Sequence, residues 1–364
     1  MMTPASPNAR KALLMAGGTG GHVFPALAVA RELRAQGYQL AWLGTARGIE
    51  ARVVPEAGIS LHCLSVQGVR GRGVVGLFKA PFLILAAVVQ ALNVIRRFRP
   101  DVVVGFGGFA SGPGGLAAVL SFKPLVIHEQ NAVPGTTNRY LAPMAKRVLT
   151  AFPTRLKGAQ TVGNPVRREL AAIAGPEVRF ANRAQQPLRL LVLGGSLGAK
   201  AINELLPEAL ARLPDEGRPE VRHQTGAAHR DATQALYEQL GVDAQVEAFI
   251  EDMAEAYHWA DWVICRAGAL TVSELMTVGL AALLIPFPHA IDDHQTHNAA
   301  VLVNAGAAEA VSQRDLDAEK LAALIREEFS DRQRLLEMAM KGHALARPEA
   351  AQVVAEHCIE VARG

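Results

Sequence analysis

Two glycine segments at matched positions could bind an anion. Gly17-Gly18-Thr19-Gly20-Gly21 follows the apolar run 12–16, and Gly194-Gly195-Ser196-Leu197-Gly198 follows the apolar run 188–193. Each leads into a segment with helical spacing of apolar residues. A loop between a strand end and a helix start aims backbone N–H groups and the positive end of the helix dipole at one point, which suits phosphate. Neither segment has the G-x-x-x-x-G-K-[ST] spacing of ATPase loops. The plainer alternative is a tight turn that needs glycine for its geometry alone, and two loops in matched places argue against it. His22 follows the first loop directly, with Pro25 in the first turn of the expected helix. An imidazole titrates near neutrality, so His22 is a candidate base for a hydroxyl proton, the alternative being a histidine that only hydrogen-bonds the loop.

A third glycine segment, Gly105-Phe106-Gly107-Gly108-Phe109-Ala110, fits G-x-G-x-x-A after a strand, and Glu129 ends the next strand. On paper this is a dinucleotide fingerprint and supports a rival reading, an NAD- or FAD-linked oxidoreductase. That fingerprint normally opens its domain, whereas here it follows about 100 residues and precedes Ser111-Gly112-Pro113. In the second half, Arg266-Ala267-Gly268 leads into Ala269, Leu270, Thr271, Val272, Ser273 and Glu274. The free N–H groups of such a helix start could hold a leaving diphosphate, and Glu274 could accept from ribose hydroxyls. The alternative for Glu274 is charge complementarity with the helix dipole. The cluster His289 to Asn298 repeats His and Asp at three- and four-residue spacing but matches no H-E-x-x-H zinc signature. A sugar-binding helix start using Gln295 and Asn298 is preferred to a metal site.

The elements that must position these residues follow from the pattern. With 364 residues, half of them apolar and a fifth charged, the chain can bury two cores. Near-continuous apolar runs at 102–106, 124–129, 262–268 and 281–287 alternate with helical patterns, as in parallel sheets covered on both faces. The fold class is α/β with two Rossmann-like doubly wound domains, 1–163 and 164–344, parted at Gly163-Asn164-Pro165. The segment 345–364 is read as a helix that returns to the first domain. Ligands of such domains bind outside the carboxyl ends of the strands. A net charge of +3 does not suggest a nucleic-acid binder, and three widely spaced cysteines suggest a reducing compartment. No signal peptide is read at the N-terminus. The apolar stretch 80–95, with Pro81 near its start, is short for a membrane span and is read as a buried or interfacial helix. From 57 to 100 there is no acidic residue, while Arg70, Arg72, Lys79, Arg96, Arg97 and Arg99 accompany Val74, Val75, Leu77, Phe78 and Phe82. Such a rim suits an anionic membrane surface.

Taken in order, GGTGGHVFPALAVA at 17–30, GFGGFASGP at 105–113, HEQNAVPG at 128–135, GNPVR at 163–167, GGSLGA at 194–199, CRAGALTVSE at 265–274 and DDHQTHNA at 292–299 strongly resemble the MurG family of bacterial glycosyltransferases over nearly the whole chain. The resemblance implies a GT-B fold and a metal-independent, cofactor-free, inverting transfer. The donor would be UDP-GlcNAc and the acceptor lipid I, the undecaprenyl-diphosphate-linked MurNAc-pentapeptide, at the cytoplasmic face of the inner membrane. Carried over by motif, Arg167 and Ser196 would contact the diphosphate, Ile250 the uracil through its backbone, Ala269 to Glu274 the phosphates and ribose, and Gln295 the sugar. Thr19, Gly20, Gly21 and Asn131 would close over the sugar, with His22 as base. Gly107, Gly108, His128, Glu129 and Asn298 would support the acceptor side and the sugar. Phe109 stands where the family often has tyrosine. The oxidoreductase reading predicts a reduced-cofactor signal or bound flavin, and a third reading, a sugar-nucleotide binding protein without catalysis, is tested by His22→Ala, in which binding should survive while transfer falls by about 10²-fold or more if His22 is a base.

Overall fold

The computed structural model describes residues 9–65, 73–195 and 198–364, except for the side chains of 73–80 and of Ile291. Ser196, Arg70 and Arg72 lie outside the described residues. Val74, Val75, Leu77, Phe78 and Lys79 fall in a described helix, but their side chains lie outside the description. The chain divides into two compact units, Met1–Arg167 with Arg347–Gly364, and Arg168–Ala346.

Unit 1 is built on β1 (Lys11–Met15), β2 (Gln39–Gly44), β3 (Ser60–Cys63), β4 (Val102–Gly105), β5 (Leu125–Glu129), β6 (Arg147–Thr150) and β7 (Ala159–Thr161). They form one parallel sheet in the order β3-β2-β1-β4-β5-β6-β7. The strands are apolar at successive positions because both faces are covered. Leu14, Val104 and Val126 enter one core with the helices Gly20–Ala35 and Ala350–Arg363, while Leu13, Met15, Val103 and Ile127 enter the other with the helix Gly73–Phe98. Side chains alternate across a strand, so a run with no polar residue supplies two cores at once.

Unit 2 repeats the plan with β8 (Arg189–Leu193), β9 (Glu220–Gln224), β10 (Gln245–Glu247), β11 (Trp262–Cys265), β12 (Ala281–Leu284) and β13 (Ala308–Ala310), all parallel, in the order β10-β9-β8-β11-β12-β13. In each unit the chain order reverses direction beside the first strand, between β1 and β4 and between β8 and β11. The carboxyl ends flanking such a reversal diverge and leave a crevice for ligand.

The helix Gly73–Phe98 buries Ala87, Val88, Ala91 and Ile95 along one stripe and exposes Phe82, Leu83, Ile84, Leu85 and Val89. Pro81 lies inside this helix rather than at its start. It is exposed, where carbonyls freed by the missing N–H and tilted by the ring can reach water.

Candidate functional site

In unit 1, Met15 at the end of β1 pairs with Gly105 at the end of β4, and the loops beyond them lie on one another. Gly107 and Gly108 take φ of +94° and +80°. A Cβ on Gly108 would stand 2.3 Å from the Gly17 carbonyl oxygen, so the two glycine loops touch through backbone. The buried Ser111 hydroxyl lies 2.9 Å from the Met15 carbonyl and 2.6 Å from that of Gly107, tying both loops to the sheet. This geometry argues against a dinucleotide cradle, because the backbone of the first loop fills the space above Gly108.

Glu50, which the sequence reading did not single out, sits fully buried beneath the first loop. Its carboxylate accepts from Gly18 N–H at 3.0 Å, Thr45 N–H at 3.0 Å and the Thr45 hydroxyl at 2.7 Å. Gly17 and Gly44 are glycines because a Cβ there would meet Glu50 at 2.7 and 2.9 Å. The first loop thus carries an anion of its own at Gly18. The N–H groups left for a ligand are those at the start of the helix Gly20–Ala35, which has Thr19 as N-cap without a side-chain cap bond.

His22 stands in the first turn of that helix with its ring against Gly107, where a Cβ would come within 3.2 Å of it. His22 Nδ1 lies 2.8 Å from Gln130 Oε1, Gln130 Nε2 lies 3.1 Å from His128 Nδ1 and 3.1 Å from the His128 carbonyl, and His128 Nε2 lies 2.9 Å from the Gly163 carbonyl. Gln130 and His128 are buried, and burial pushes the His128 imidazole down to about 4. His128 is therefore neutral at physiological pH. Glu129 turns away from this chain of bonds. Its carboxylate accepts from Asn131 N–H and Gly135 N–H at 2.9 and 3.0 Å and from the Asn138 side chain at 2.9 Å, which organises the loop after β5. A carboxylate so engaged is not free to accept from a ribose. Arg167 closes unit 1, its guanidinium 5.1 Å from the centre of the Phe24 ring.

In unit 2, β11 runs through Arg266-Ala267-Gly268 into the helix Ala269–Val278, whose N-cap Gly268 offers no side chain. The amides of Ala269, Leu270 and Thr271 precede the first i→i−4 bond, which Val272 N–H makes to the Gly268 carbonyl at 2.9 Å. Among the described residues, the start of this helix is an open donor set. Glu274 lies beyond the first turn and is buried, its Oε2 accepting from the Tyr257 hydroxyl at 2.9 Å, so helix-dipole complementarity is not what places it. Asn298, also buried, donates to the Ala267 carbonyl at 3.1 Å, and Gln295 accepts from Phe287 N–H at 2.9 Å. These two amides brace the loops after β11 and β12. Ile250 has its side chain buried just beyond β10.

The comparisons with known proteins agree with this architecture. The glycosyltransferase family 28 N-terminal domain matches residues 12–150, and the family 28 C-terminal domain matches 189–354. The chain belongs to glycosyltransferase family 28. Among family relatives, UDP-N-acetylglucosamine–N-acetylmuramyl-(pentapeptide) pyrophosphoryl-undecaprenol N-acetylglucosamine transferase of Cellvibrio japonicus is 61% identical over 97% of this chain and 98% of its own. The transferase of the same name from Pseudomonas aeruginosa is 55% identical over 97% of this chain and 99% of its own. The crystal structure of Acinetobacter baumannii MurG superposes with a TM-score of 0.83 at 44% identity, covering 96% of this chain and 99% of that one. The glycosyltransferase of kitacinnamycin, at 19% identity and a TM-score of 0.68 over 97% of this chain and all of its own, shares the fold. Both units therefore have the Rossmann-like form of the GT-B glycosyltransferases.

Proposed function

We propose that this chain transfers N-acetylglucosamine from UDP-GlcNAc to the muramyl 4-hydroxyl of lipid I, giving the β-1,4-linked lipid II used for peptidoglycan. The observation that carries the reading is full-length identity of 53–61% to transferases of that name. The site supplies chemistry of the matching kind. In the transfer, His22 takes the proton of the acceptor hydroxyl as that oxygen attacks C1 of the sugar. The C1–O bond to the diphosphate breaks with its electron pair going to the departing UDP, and attack from the opposite face inverts the anomeric carbon. Positive charge spreads over the sugar ring in the transition state while negative charge gathers on the diphosphate. The amides of Ala269, Leu270 and Thr271, with Arg167 and Ser196, would stabilise the leaving group without a metal. Thr19, Gly20, Gly21, Asn131 and Gln295 would hold the sugar, Val272 to Glu274 the ribose side, and the Ile250 backbone the uracil. Unit 1 would take the acceptor and unit 2 the donor.

Peripheral contact with the anionic cytoplasmic leaflet belongs to the same proposal. The window Pro81–Phe98 is long and apolar enough to cross a membrane by composition, but its buried stripe belongs to the core of unit 1, which favours lying on the surface. The exposed side offers Phe82 at 75% exposure, and the neighbouring helix Ser111–Leu120 is followed, beyond its C-cap Ser121, by Phe122 at 96%. Phe122 has φ of +52°, a left-handed position where a side chain costs roughly 1–2 kcal/mol. An aromatic residue held there in full exposure is well explained by insertion among lipid headgroups.

The test is transfer of labelled GlcNAc to a short-chain lipid I analogue in EDTA, with UDP release followed in parallel. Stoichiometric UDP and a β-linked product are expected. Tight UDP-GlcNAc binding with no product would overturn the acceptor assignment.

A further inference from the structure

We propose that Gln130 and His128 are positioning residues that hold His22 in the Nδ1–H tautomer, with the lone pair needed for proton abstraction on Nε2. The inference rests on the reading of His22 as base and adds the device that prepares it.

The chain of bonds is fixed at its Gly163 end. The Gly163 carbonyl can only accept, so His128 Nε2, 2.9 Å away, carries the proton. A neutral imidazole with its proton on Nε2 has an acceptor at Nδ1, and that atom faces Gln130 Nε2 at 3.1 Å. The amide nitrogen of Gln130 is further held by the His128 carbonyl at 3.1 Å, so two acceptors set the orientation of the amide. Gln130 Oε1 is thereby turned to His22 Nδ1 at 2.8 Å, and an amide oxygen can only accept. His22 must then donate from Nδ1. Its Nε2 keeps the lone pair, and the ring lies against Gly107, where a Cβ would come within 3.2 Å of it.

The relay has the logic of a carboxylate behind a catalytic histidine, with a difference in charge. A neutral amide fixes tautomer and ring orientation without adding a negative charge beside the base. Its anchor lies at residue 163, where the chain leaves β7 for the end of unit 1. The tautomer of His22 thus depends on backbone 141 residues further along the chain.

The experiment uses the full chain labelled with ¹⁵N-histidine, and long-range ¹H–¹⁵N correlation spectra at mildly alkaline pH, with the His22 signal assigned by its loss in His22→Ala. Wild type is expected to show the Nδ1–H pattern for His22. Gln130→Leu is expected to shift the signal toward Nε2–H, and to lower kcat by about 10- to 100-fold with the KM for UDP-GlcNAc within twofold. Gln130→Glu, which presents an acceptor whichever way its carboxylate turns, is expected to recover the Nδ1–H pattern and part of the rate. An unchanged His22 tautomer in Gln130→Leu would overturn the relay, as would loss of rate and donor binding in equal measure, which marks a structural role. Failure of the base reading is separate and visible: His22→Ala would then transfer at the wild-type rate, whatever the spectra show for Gln130.

Discussion

The two strand-order reversals, built to one plan, are finished in opposite ways. In unit 1 the crevice between β1 and β4 is filled by the protein itself. Backbone of one glycine loop rests on the other, Glu50 takes the Gly18 amide, and His22 lies against Gly107 with its ring braced from β5. In unit 2 the loop after β8 leans the other way. Gly198 packs on the Thr225 carbonyl beyond β9, where a Cβ would come within 2.2 Å, while Gly195 has no described atom within 4 Å of where its Cβ would stand. Among the described residues, the amides that begin Ala269–Val278 are left open, ahead of the first i→i−4 bond at Val272. Among the described residues, one fold thus yields a close-packed mount for a single imidazole in one unit and a helix start with exposed amide donors in the other. The difference comes from which neighbouring strand each loop leans against.

The comparison breaks first at His22. His22→Ala is expected to lower transfer by about 10²-fold or more while isothermal titration finds UDP-GlcNAc binding unchanged, because the base and the anion cradle lie on different units. Equal loss of both would mean that the two crevices do not divide the work. The paired glycines come next. Gly108→Ala adds a clash with the Gly17 carbonyl to a strained φ and is expected to destabilise unit 1 by about 3 kcal/mol in denaturant unfolding. Gly195→Ala, with φ of +78° and open space, is expected to cost about 1 kcal/mol. Similar costs would remove the claimed contrast in packing.

Each unit also buries one neutral histidine, and these sharpen the comparison through pH. Burial pushes His128 down to about 4 and His223 to about 3, against about 6.5 in the unfolded chain. Between those limits the unfolded chain binds more protons, so this stability is present above pH 6.5 and is lost as pH falls, by roughly 2 kcal/mol per histidine at pH 5. His223 sits in a closed set with the Tyr237 hydroxyl at 3.0 Å and Asn203 at 3.1 Å, whereas His128 leads on to His22. Replacing His223 by glutamine is therefore expected to flatten the acid limb of unfolding with kcat unchanged. The smallest effect lies on the outer surface of unit 1. Phe122→Gly relieves the left-handed strain and is expected to raise stability by about 1 kcal/mol while weakening binding to anionic vesicles in a sedimentation assay. Unchanged vesicle binding would remove Phe122 from the membrane face.

Much of this was legible in the residues. Apolar strands without alternation mark covered parallel sheets, the repeat of strand, glycine loop and helix marks two similar units, and the motif order marks the family. His22 stood out because an imidazole beside a glycine loop is unusual chemistry at a definable place. Gln130 lies inside the motif HEQNAVPG, but a glutamine between Glu129 and Asn131 has no local signature of a relay. Glu129, which completes the dinucleotide spacing on paper, spends its carboxylate on its own loop.

Local order along the chain therefore determined the elements and their kind, because hydrophobic period and glycine placement act over a few residues. Tertiary structure alone decided which loop touches which. Glu50 reaches Gly18 across 32 residues and Gln130 reaches His22 across 108. Those distances close only because parallel strands bring the ends of β2, β1, β4 and β5 side by side, and no short-range pattern records a contact that the sheet order makes.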